Sequence, residues 1–579
     1  MTRNDAVADL LAEMADRLEA MDVEYKPRAY RRAAENVREH PEPIERLAGE
    51  GTEAVGEIDG VGDAIASKIV EYVETGSIGE LEELREELPV EIDALTGVEG
   101  VGPKTVGTLY EALGIRTLDD LEEAAEAGAI QDIKGFGAKT ERNILEGIEF
   151  AREAHERQLL GEAVPLGESA RSYLADRPSV EAVEIAGSLR RWKPTIGDVD
   201  VLVGSDDGER VVEAFTDWGE AETVLEAGET KASLRVGSVR VDLRVVAPEE
   251  FGSALQYFTG SRDHNVALRN RAIERELKMN EYGVFDVSGI EDPDAGQRVG
   301  ERVAGETEQS MYAALDLPLV PPELREGRGE IEAAAAGELP DLLEEEEVRG
   351  DLHTHTDSSD GENTIAEMIE GAAAFGHEYV AITDHATGPG MVGGVGLDDE
   401  TLREQIDEIR TAAAEADIGV FAGVEANIGE DGSISVAEDV LAELDLVVAS
   451  PHAALSGDGT DRLIAAAEHP QVDIIGHPTG RFLNRRPGLN IEYDRLAAAA
   501  ADAGTALEVN ANPRRLDLGG QAVRAAIEAG ATIVIDTDAH RPASYEYMRY
   551  GVHTARRGWA EADDVLNTRG QDAIRRFVE

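Results

Sequence analysis

The sequence predicts a multidomain chain of mixed α and β structure: a helical N-terminal part, an α+β centre and a C-terminal α/β barrel. Three observations predict it. An apolar-x-Gly-apolar-Gly turn recurs at 58–62, 98–102 and 133–137, and a helical run follows each copy. In the centre, VEAVEI, DVDVLVGS and VGSVRVDLRVVAP read as short strands. Beyond residue 350, apolar runs alternate with helical ones. Each apolar run ends in His, Asp or Glu, the pattern of an α/β barrel whose site lies at the C-terminal ends of its strands.

At 579 residues the chain has room for several domains. A hydrophobic content of 42% fills ordinary cores, and the regular apolar periodicity argues against disorder. The net charge of −66 comes from 54 basic and 120 acidic residues, and only eight of the cations are lysine. Such a surface suits a folded protein adapted to molar salt, where carboxylates stay hydrated and a short Debye length mutes their repulsion. With no cysteine, disulfides and thiolate chemistry are excluded. The N-terminus is amphipathic and acidic rather than a signal peptide, and no stretch approaches about 18 continuous apolar residues. A cytoplasmic protein without membrane contact is expected.

In the N-terminal part, the glycines of the three turns are Gly60 and Gly62, Gly100 and Gly102, Gly135 and Gly137. They let the backbone approach closely, and N–H groups at a helix start can hold a phosphate. The turns resemble the hairpin of helix-hairpin-helix DNA-binding modules, which implies contact with a DNA backbone. The basic run YKPRAYRRAAENV at 25–37, the first hairpin and Lys68 together resemble the lyase domain of family X DNA polymerases. That resemblance makes Lys68 the expected Schiff-base amine toward a 5′-deoxyribose phosphate, with Lys26 and Tyr30 as 5′-phosphate contacts. An amine nucleophile needs a depressed pKa, which neighbouring cations are expected to provide. Ala64 departs from the family, which has a lysine there. The lyase-like domain is placed at 1–90 and two further hairpin repeats at 91–155.

The centre carries GSLRRWKPTIGDVDVLV at 187–203. A strand's period of two puts Asp198 and Asp200 on one face, where two carboxylates call for a hard cation such as Mg²⁺. Asp242 in VRVDLRV is an acid inside an apolar strand and needs a partner. If its strand lies beside the first, the three carboxylates form a triad able to hold two Mg²⁺ (or Mn²⁺) ions about 4 Å apart for in-line displacement. YFTGSRDHNVALRNRA at 257–272 is similar to the nucleotide-binding segment of family X DNA polymerases. The resemblance implies that Tyr257, Phe258 and Gly260 pack the incoming sugar, that Asn265 touches the base edge, and that Arg269 reaches the minor groove. It also implies that Ser188 and Arg191 grip the triphosphate with Gly187 and Arg190 nearby, and that Arg240 faces the primer end. Arg262-Asp-His264 departs from the set familiar in animal members. A nucleotidyltransferase palm is expected at 156–248, a thumb at 249–325 and a linker at 326–347.

The remainder, 348–579, offers a second metal site. His353 and His355 share a strand face in DLHTHTDSSDG, with Asp360 beyond them, and His385, Glu425, His452, His477, Asp538 and His540 end later strands. His553 lacks a counterpart in the pattern and is left out. The motifs resemble the polymerase and histidinol phosphatase (PHP) domain, whose nine usual ligands these are. A Mn²⁺ or Zn²⁺ cluster of up to three ions, serving phosphoester hydrolysis, is implied. Arg481, Arg485, Arg486, Arg514 and Arg515 are candidates for a nucleic-acid backbone.

Taken together, the chain resembles a prokaryotic-type family X DNA polymerase with a C-terminal PHP domain, of a kind expected in a halophilic archaeon. Gap filling with dNTPs on gapped or primed DNA is implied, with 3′–5′ exonuclease or 3′-end phosphoesterase activity, by a monomer. Two rivals remain: a metal-dependent DNA phosphoesterase whose polymerase half mainly binds DNA, and a polymerase whose PHP domain is a non-catalytic scaffold.

Overall fold

A computed structural model describes residues 3–23, 25–40, 43–56, 58, 60–98, 100–390 and 395–578. Asp59 and Glu99, inside the first two repeated turns, lie outside them. The chain divides into two compact units, one built on residues 1–157 with 484–486 and the other on 158–483 with 487–579.

The first unit is helical: α1 (Arg3–Ala20), α2 (Lys26–Glu39), α3 (Asp63–Thr75), α4 (Gly79–Glu87), α5 (Pro103–Leu113) and α6 (Ala138–Glu156) are its main elements. It holds two hydrophobic cores, one from Val7 to Leu84 and one from Leu88 to Ala151. Arg17 joins them. Almost fully buried, it donates to the carbonyls of Leu88 (2.6 Å) and Val90 (3.2 Å) and to Glu13 (2.7 Å). In each repeated turn the first glycine takes positive φ (72° at Gly60, 83° at Gly100, 101° at Gly135). The second glycine is the N-cap of α3, α5 or α6, with no capping side chain. These helices therefore start on bare backbone.

The second unit begins with a mixed sheet. Its strands are β1 (Ala182–Ile185), β2 (Val199–Gly204), β3 (Thr223–Ala227), β4 (Lys231–Val236) and β5 (Val239–Val246), in spatial order β1-β2-β5-β4-β3. A one-turn helix α7 (Gly187–Arg190) joins β1 to the loop before β2. β5 alternates cleanly. Val239, Val241, Leu243 and Val245 are buried, while Arg240, Asp242 and Arg244 share the opposite face. The run 236–248, read as one strand, contains a hairpin turn instead, with Gly237 at φ 56° between β4 and β5. Helices α8 (Phe251–Thr259) and α9 (Arg262–Ile273) follow, then the sheet β6 (Leu277–Asn280), β7 (Gly283–Asp286) and β8 (Glu301–Ala304). Residues 326–347, expected as a linker, are packed. Within them α10 (Glu330–Ala336) buries Ile331 and Ala334, and Leu342 joins the same core as Leu268, Met279 and Tyr312. An acidic, alanine-rich stretch looks like solvated chain until its few apolar residues find partners.

The C-terminal part is a seven-stranded parallel sheet in sequence order: β9 (Gly350–Asp351), β10 (Tyr379–Ile382), β11 (Gly419–Asn427), β12 (Leu446–Ser450), β13 (Ile474–Ile475), β14 (Ala506–Asn510) and β15 (Ile533–Asp536). A parallel bridge between Thr354 and Ala539, with His355 N–H donating to the Ala539 carbonyl (2.8 Å), ties its last edge back to its first, giving a nearly closed barrel. The strands read as continuous apolar runs because both faces are covered. Tyr379, Phe421, Val448 and Ile474 meet in one cluster, and their strand neighbours Val380, Ala422, Val447 and Ile475 in another. Helix α11 (Met548–Arg556) follows the last strand. Among the described residues, no helix is long and apolar enough to cross a membrane.

Candidate functional site

Two clusters of candidate ligands lie in the second unit. In the first, β2 and β5 run parallel with Asp200 opposite Asp242, and Asp198 lies just before β2. Carboxylate oxygens of Asp198, Asp200 and Asp242 come within 4.8 Å of one another. Burial, then repulsion from Asp198 and Asp242, pushes the Asp200 carboxyl up to about 7. A bound divalent cation would relieve both effects, so the donor set fits a hard metal. Gly187 has φ 64°, and a Cβ there would stand 2.1 Å from Asp200 Oδ2. Only glycine lets α7 begin against the triad. A cleft of about 270 Å³ opens here, lined by Asp200, Lys231, Ser233, Arg240, Asp242, Arg244 and Phe258.

Of the other residues expected to bind nucleotide or primer, Arg240 and Phe258 line this cleft, and the rest have mixed allegiances. Arg240 Nε donates to Asp242 Oδ1 (2.8 Å), and its guanidinium also reaches Ser233 Oγ (3.1 Å). Tyr257 and Phe258 form an edge-to-face pair 5.2 Å apart, and Arg244 lies over the Phe258 ring. Gly260 leaves room for Asn265, whose Oδ1 would be 2.5 Å from a Cβ at that position. Asn265 Nδ2 donates to the Tyr257 carbonyl (2.8 Å), which tethers α9 to α8. Arg269 is exposed on α9, and Ser188 is half-buried on α7. Arg190, expected beside the triphosphate, is instead committed to Glu308 (2.9 and 2.7 Å) and Thr259 Oγ1 (2.9 Å). Arg191 is 8% exposed and donates to Glu326 (2.9 Å) and to the Thr259 carbonyl (2.6 Å).

In the first unit, Glu80 stands between Lys68, the expected Schiff-base amine, and Lys26, an expected 5′-phosphate contact. Its carboxylate is 2.9 Å from Lys68 Nζ and 3.7 Å from Lys26 Nζ. Burial alone would depress the Lys68 amine, but the Glu80 hydrogen bond and the charges of Tyr30 and Glu80 outweigh it, and the pKa is raised. The expected depression by neighbouring cations is therefore overturned: the neighbour that decides is an anion. Tyr30 is buried alongside. Among the described residues, a Cβ on Gly62, Gly100, Gly102, Gly135 or Gly137 would meet nothing within 4 Å, so these five turn glycines are open to an approaching backbone, whereas Gly60 is crowded by Arg32.

In the barrel, side chains from six strand ends and the loop at Asp360 converge. His355, Asp360, His385 and His540 form one group of candidate ligands, His353, His355 and Glu425 a second, and His385, Glu425 and His452 a third. Glu425 is the hub. Its oxygens lie 2.5 Å from His385, 3.0 Å from His477, 3.4 Å from His353 and His452, and 3.7 Å from His355. Asp538 closes the ring 3.1 Å from His355 Nε2. Burial opposes ionisation of Glu425, yet His385, His452 and His353 hold its carboxyl well below the usual range. The outer nitrogens of three histidines are spoken for. His353 Nδ1 meets Glu508 (2.6 Å), His452 Nδ1 meets Asn427 Oδ1 (2.8 Å) and His540 Nδ1 meets the Asp538 carbonyl (2.8 Å). Each contact fixes the tautomer that turns Nε2 inward. Among the described residues, the buried Nε2 atoms of His353, His355 and His452 have no hydrogen-bond partner. Orphaned acceptors around one carboxylate fit a multinuclear metal site.

Glu508 was not singled out in the sequence, although ALEVN shows the same acid-in-apolar-strand signal as Asp242. Its second oxygen accepts from the His477 backbone N–H, so it braces two candidate ligands. Among the arginines, Arg515 reaches the site, 3.5 Å from Asp538 and stacked on Phe482. Arg481 is spent on the carbonyls of Arg515 and Leu516. His553 stands apart on α11, between Glu323 (2.8 Å) and Glu345 (3.2 Å), with its ring stacked on Trp192 at 3.6 Å.

Comparison with known proteins follows these divisions. Residues 2–78 match the helix-hairpin-helix domain, 92–149 the SAM-like helix-hairpin-helix tandem, 254–326 the DNA polymerase beta thumb and 351–512 the PHP domain. The chain is 35% identical over 565 residues to the DNA polymerase/3′-5′ exonuclease PolX of Bacillus subtilis (strain 168), covering 96% of both. It is 27% identical over 289 residues to DNA polymerase lambda of Rattus norvegicus, 46% of this chain and 48% of that one. A probable phosphatase of Shewanella sp. (strain ANA-3) is 32% identical over 204 residues, 75% of its own length.

Proposed function

The chain belongs to the family X DNA polymerases that carry a C-terminal PHP domain, and on that premise we propose that it fills short gaps in DNA during repair, extending primer 3′ ends with dNTPs, and trims 3′ ends at its PHP domain. The observation that carries the synthetic half is the parallel register of Asp200 with Asp242, which gathers three carboxylates beside Gly187 and Ser188. Asp198, Asp200 and Asp242 hold Mg²⁺ or Mn²⁺, which supply charge neutralisation for phosphoryl transfer. Ser188 and Arg191 grip the triphosphate, with Gly187 keeping the loop against Asp200. Tyr257, Phe258 and Gly260 pack the sugar, Asn265 and Arg269 contact the nascent pair, and Arg240 orients Asp242 toward the primer end. The turn glycines at 60–62, 100–102 and 135–137 hold the DNA backbone through amides.

For the hydrolytic half, His353, His355, Asp360, His385, Glu425, His452, His477, Asp538 and His540 hold a Mn²⁺ or Zn²⁺ cluster, which supplies Lewis acidity for phosphodiester cleavage. Arg515, poised at Asp538, binds the phosphate to be cut. Lyase chemistry at Lys68 is outside this reading, because Glu80 already pairs with the amine at 2.9 Å. The protein acts as a monomer in a cytoplasm of high salt, of the kind halophilic archaea maintain, for which its acidic surface is suited.

The test is a labelled primer on gapped DNA, assayed with Mg²⁺ or Mn²⁺. Asp200→Ala should abolish nucleotide addition and spare 3′ degradation, and His353→Ala should do the reverse. Addition surviving Asp200→Ala would refute the mechanism. Degradation surviving His353→Ala would leave the PHP domain a scaffold.

A further inference from the structure

Arg191, assigned above to the incoming triphosphate, is held by a carboxylate from a segment that also touches the PHP domain. Glu326 Oε1 accepts from Arg191 Nε (2.9 Å) and from Arg557 Nη1 (3.2 Å), and the same Arg557 nitrogen donates to the Arg191 carbonyl. All three residues are nearly buried, with side-chain exposures of 10%, 12% and 8% for Arg191, Glu326 and Arg557. Arg191 directly follows α7, whose first residue, Gly187, packs against Asp200, which places this contact on the same turn as the triad.

A carboxylate and a triphosphate present the same kind of oxygen to a guanidinium fork, so one displaces the other. We propose that Glu326 is a nucleotide-responsive clasp: it competes with the incoming triphosphate for Arg191 and passes that occupancy to the PHP domain through Arg557. This rests on the assignment of Arg191 to the triphosphate. The segment around Glu326 is pinned at both ends. Ser261 N–H donates to the Arg325 carbonyl (3.1 Å), and Glu330 accepts from Gly327 N–H (2.9 Å) and binds His264 (2.6 Å). Arg524 of the PHP domain donates to the Arg328 carbonyl (3.0 Å). Glu326, once released, has no freedom to drift and is left to Arg557. The residue after Arg191 reports the same junction, since Trp192 stacks flat on His553 of α11 at 3.6 Å and 4°.

The experiment is steady-state dNTP addition by the full chain on gapped DNA. Glu326→Gln removes the charge that restrains Arg191, so the KM for dNTP should fall about fivefold, the lower end of ordinary coupling between linked sites, without an equal fall in kcat. Arg557→Gln removes the competitor for Glu326, so KM should rise. A merely structural role moves both variants the same way, and that result, or no change in either, overturns the clasp. Should Glu326→Gln fail to fold, the sign of the Arg557→Gln shift decides. Arg191→Ala separates the two layers. If it leaves KM unchanged, the triphosphate assignment falls and the clasp with it. If it raises KM while the other two variants do not shift in opposite directions, the clasp alone falls. Hydrogen exchange over residues 548–558 should change when dNTP joins a dideoxy-terminated primer complex, and no longer do so in Glu326→Gln. An unchanged wild-type pattern would overturn the relay to the PHP domain.

Discussion

A buried carboxylate behaves according to what faces it. Glu323, between His553 and Arg556, is pulled down to about 2 in spite of its burial. Asp473 has no cation, and its single hydrogen bond, from Val447 N–H at 2.8 Å, leaves burial to push it up to about 7. The folded state therefore keeps the Asp473 proton longer than the unfolded chain, whose carboxyl titrates at the ordinary value of 3.8. Stability is unaffected below that value, falls as pH rises toward 7, and carries the whole cost above it. Asp473→Asn should raise stability by about 1 kcal/mol or more at pH 8, with a smaller gain at pH 5, read from urea midpoints. A loss at pH 8 would contradict the burial account. At this scale six of the nine PHP candidates stand out in the sequence because histidines ending apolar strands are rare without purpose. Glu326 does not. It sits in a mixed run of Glu and Arg, ELREGRGE, and nothing near it in sequence announces Arg191 or Arg557.

Helices and strands were legible where one rhythm governed them, as in the barrel and in the alternation of β5. Where packing decided, they were not. The turn at Gly237 broke an apolar run, and α10 found its core through Ile331 and Ala334. Two glycines of the first unit show how position within an element sets tolerance. A Cβ on Gly107 would lie 2.0 Å from the Ala20 carbonyl, where α5 crosses the end of α1. A Cβ on Gly102, the N-cap of α5, meets nothing within 4 Å, and its φ of −79° is open to any residue. Gly107→Ala should therefore cost about 1–3 kcal/mol through overpacking. Gly102→Ala should melt like the parent but bind DNA more weakly, because in the proposed backbone grip its methyl would stand where the phosphate comes close. Paired thermal melts and DNA titrations check both, and a Gly102→Ala that binds normally would remove that turn from the DNA interface.

For the whole molecule, the net charge of −66 dominates behaviour at low ionic strength. The Debye length shrinks from about 10 Å at 0.1 M to about 3 Å at 1 M salt, so the denaturation midpoint should climb steeply with KCl over that range. A flat or falling midpoint would refute the reading of the surface as salt-adapted. The barrel adds a constraint of timing. Its nine candidate ligands are spread from residue 353 to residue 540, and the bridge that draws the last edge to the first lies between Thr354 and Ala539. During synthesis the triad of Asp198, Asp200 and Asp242 is complete long before His540 leaves the ribosome. On the proposed reading, the growing chain thus acquires the groups assigned to building DNA well before those assigned to degrading it, and a product cut short between the two would be a synthesiser without an eraser.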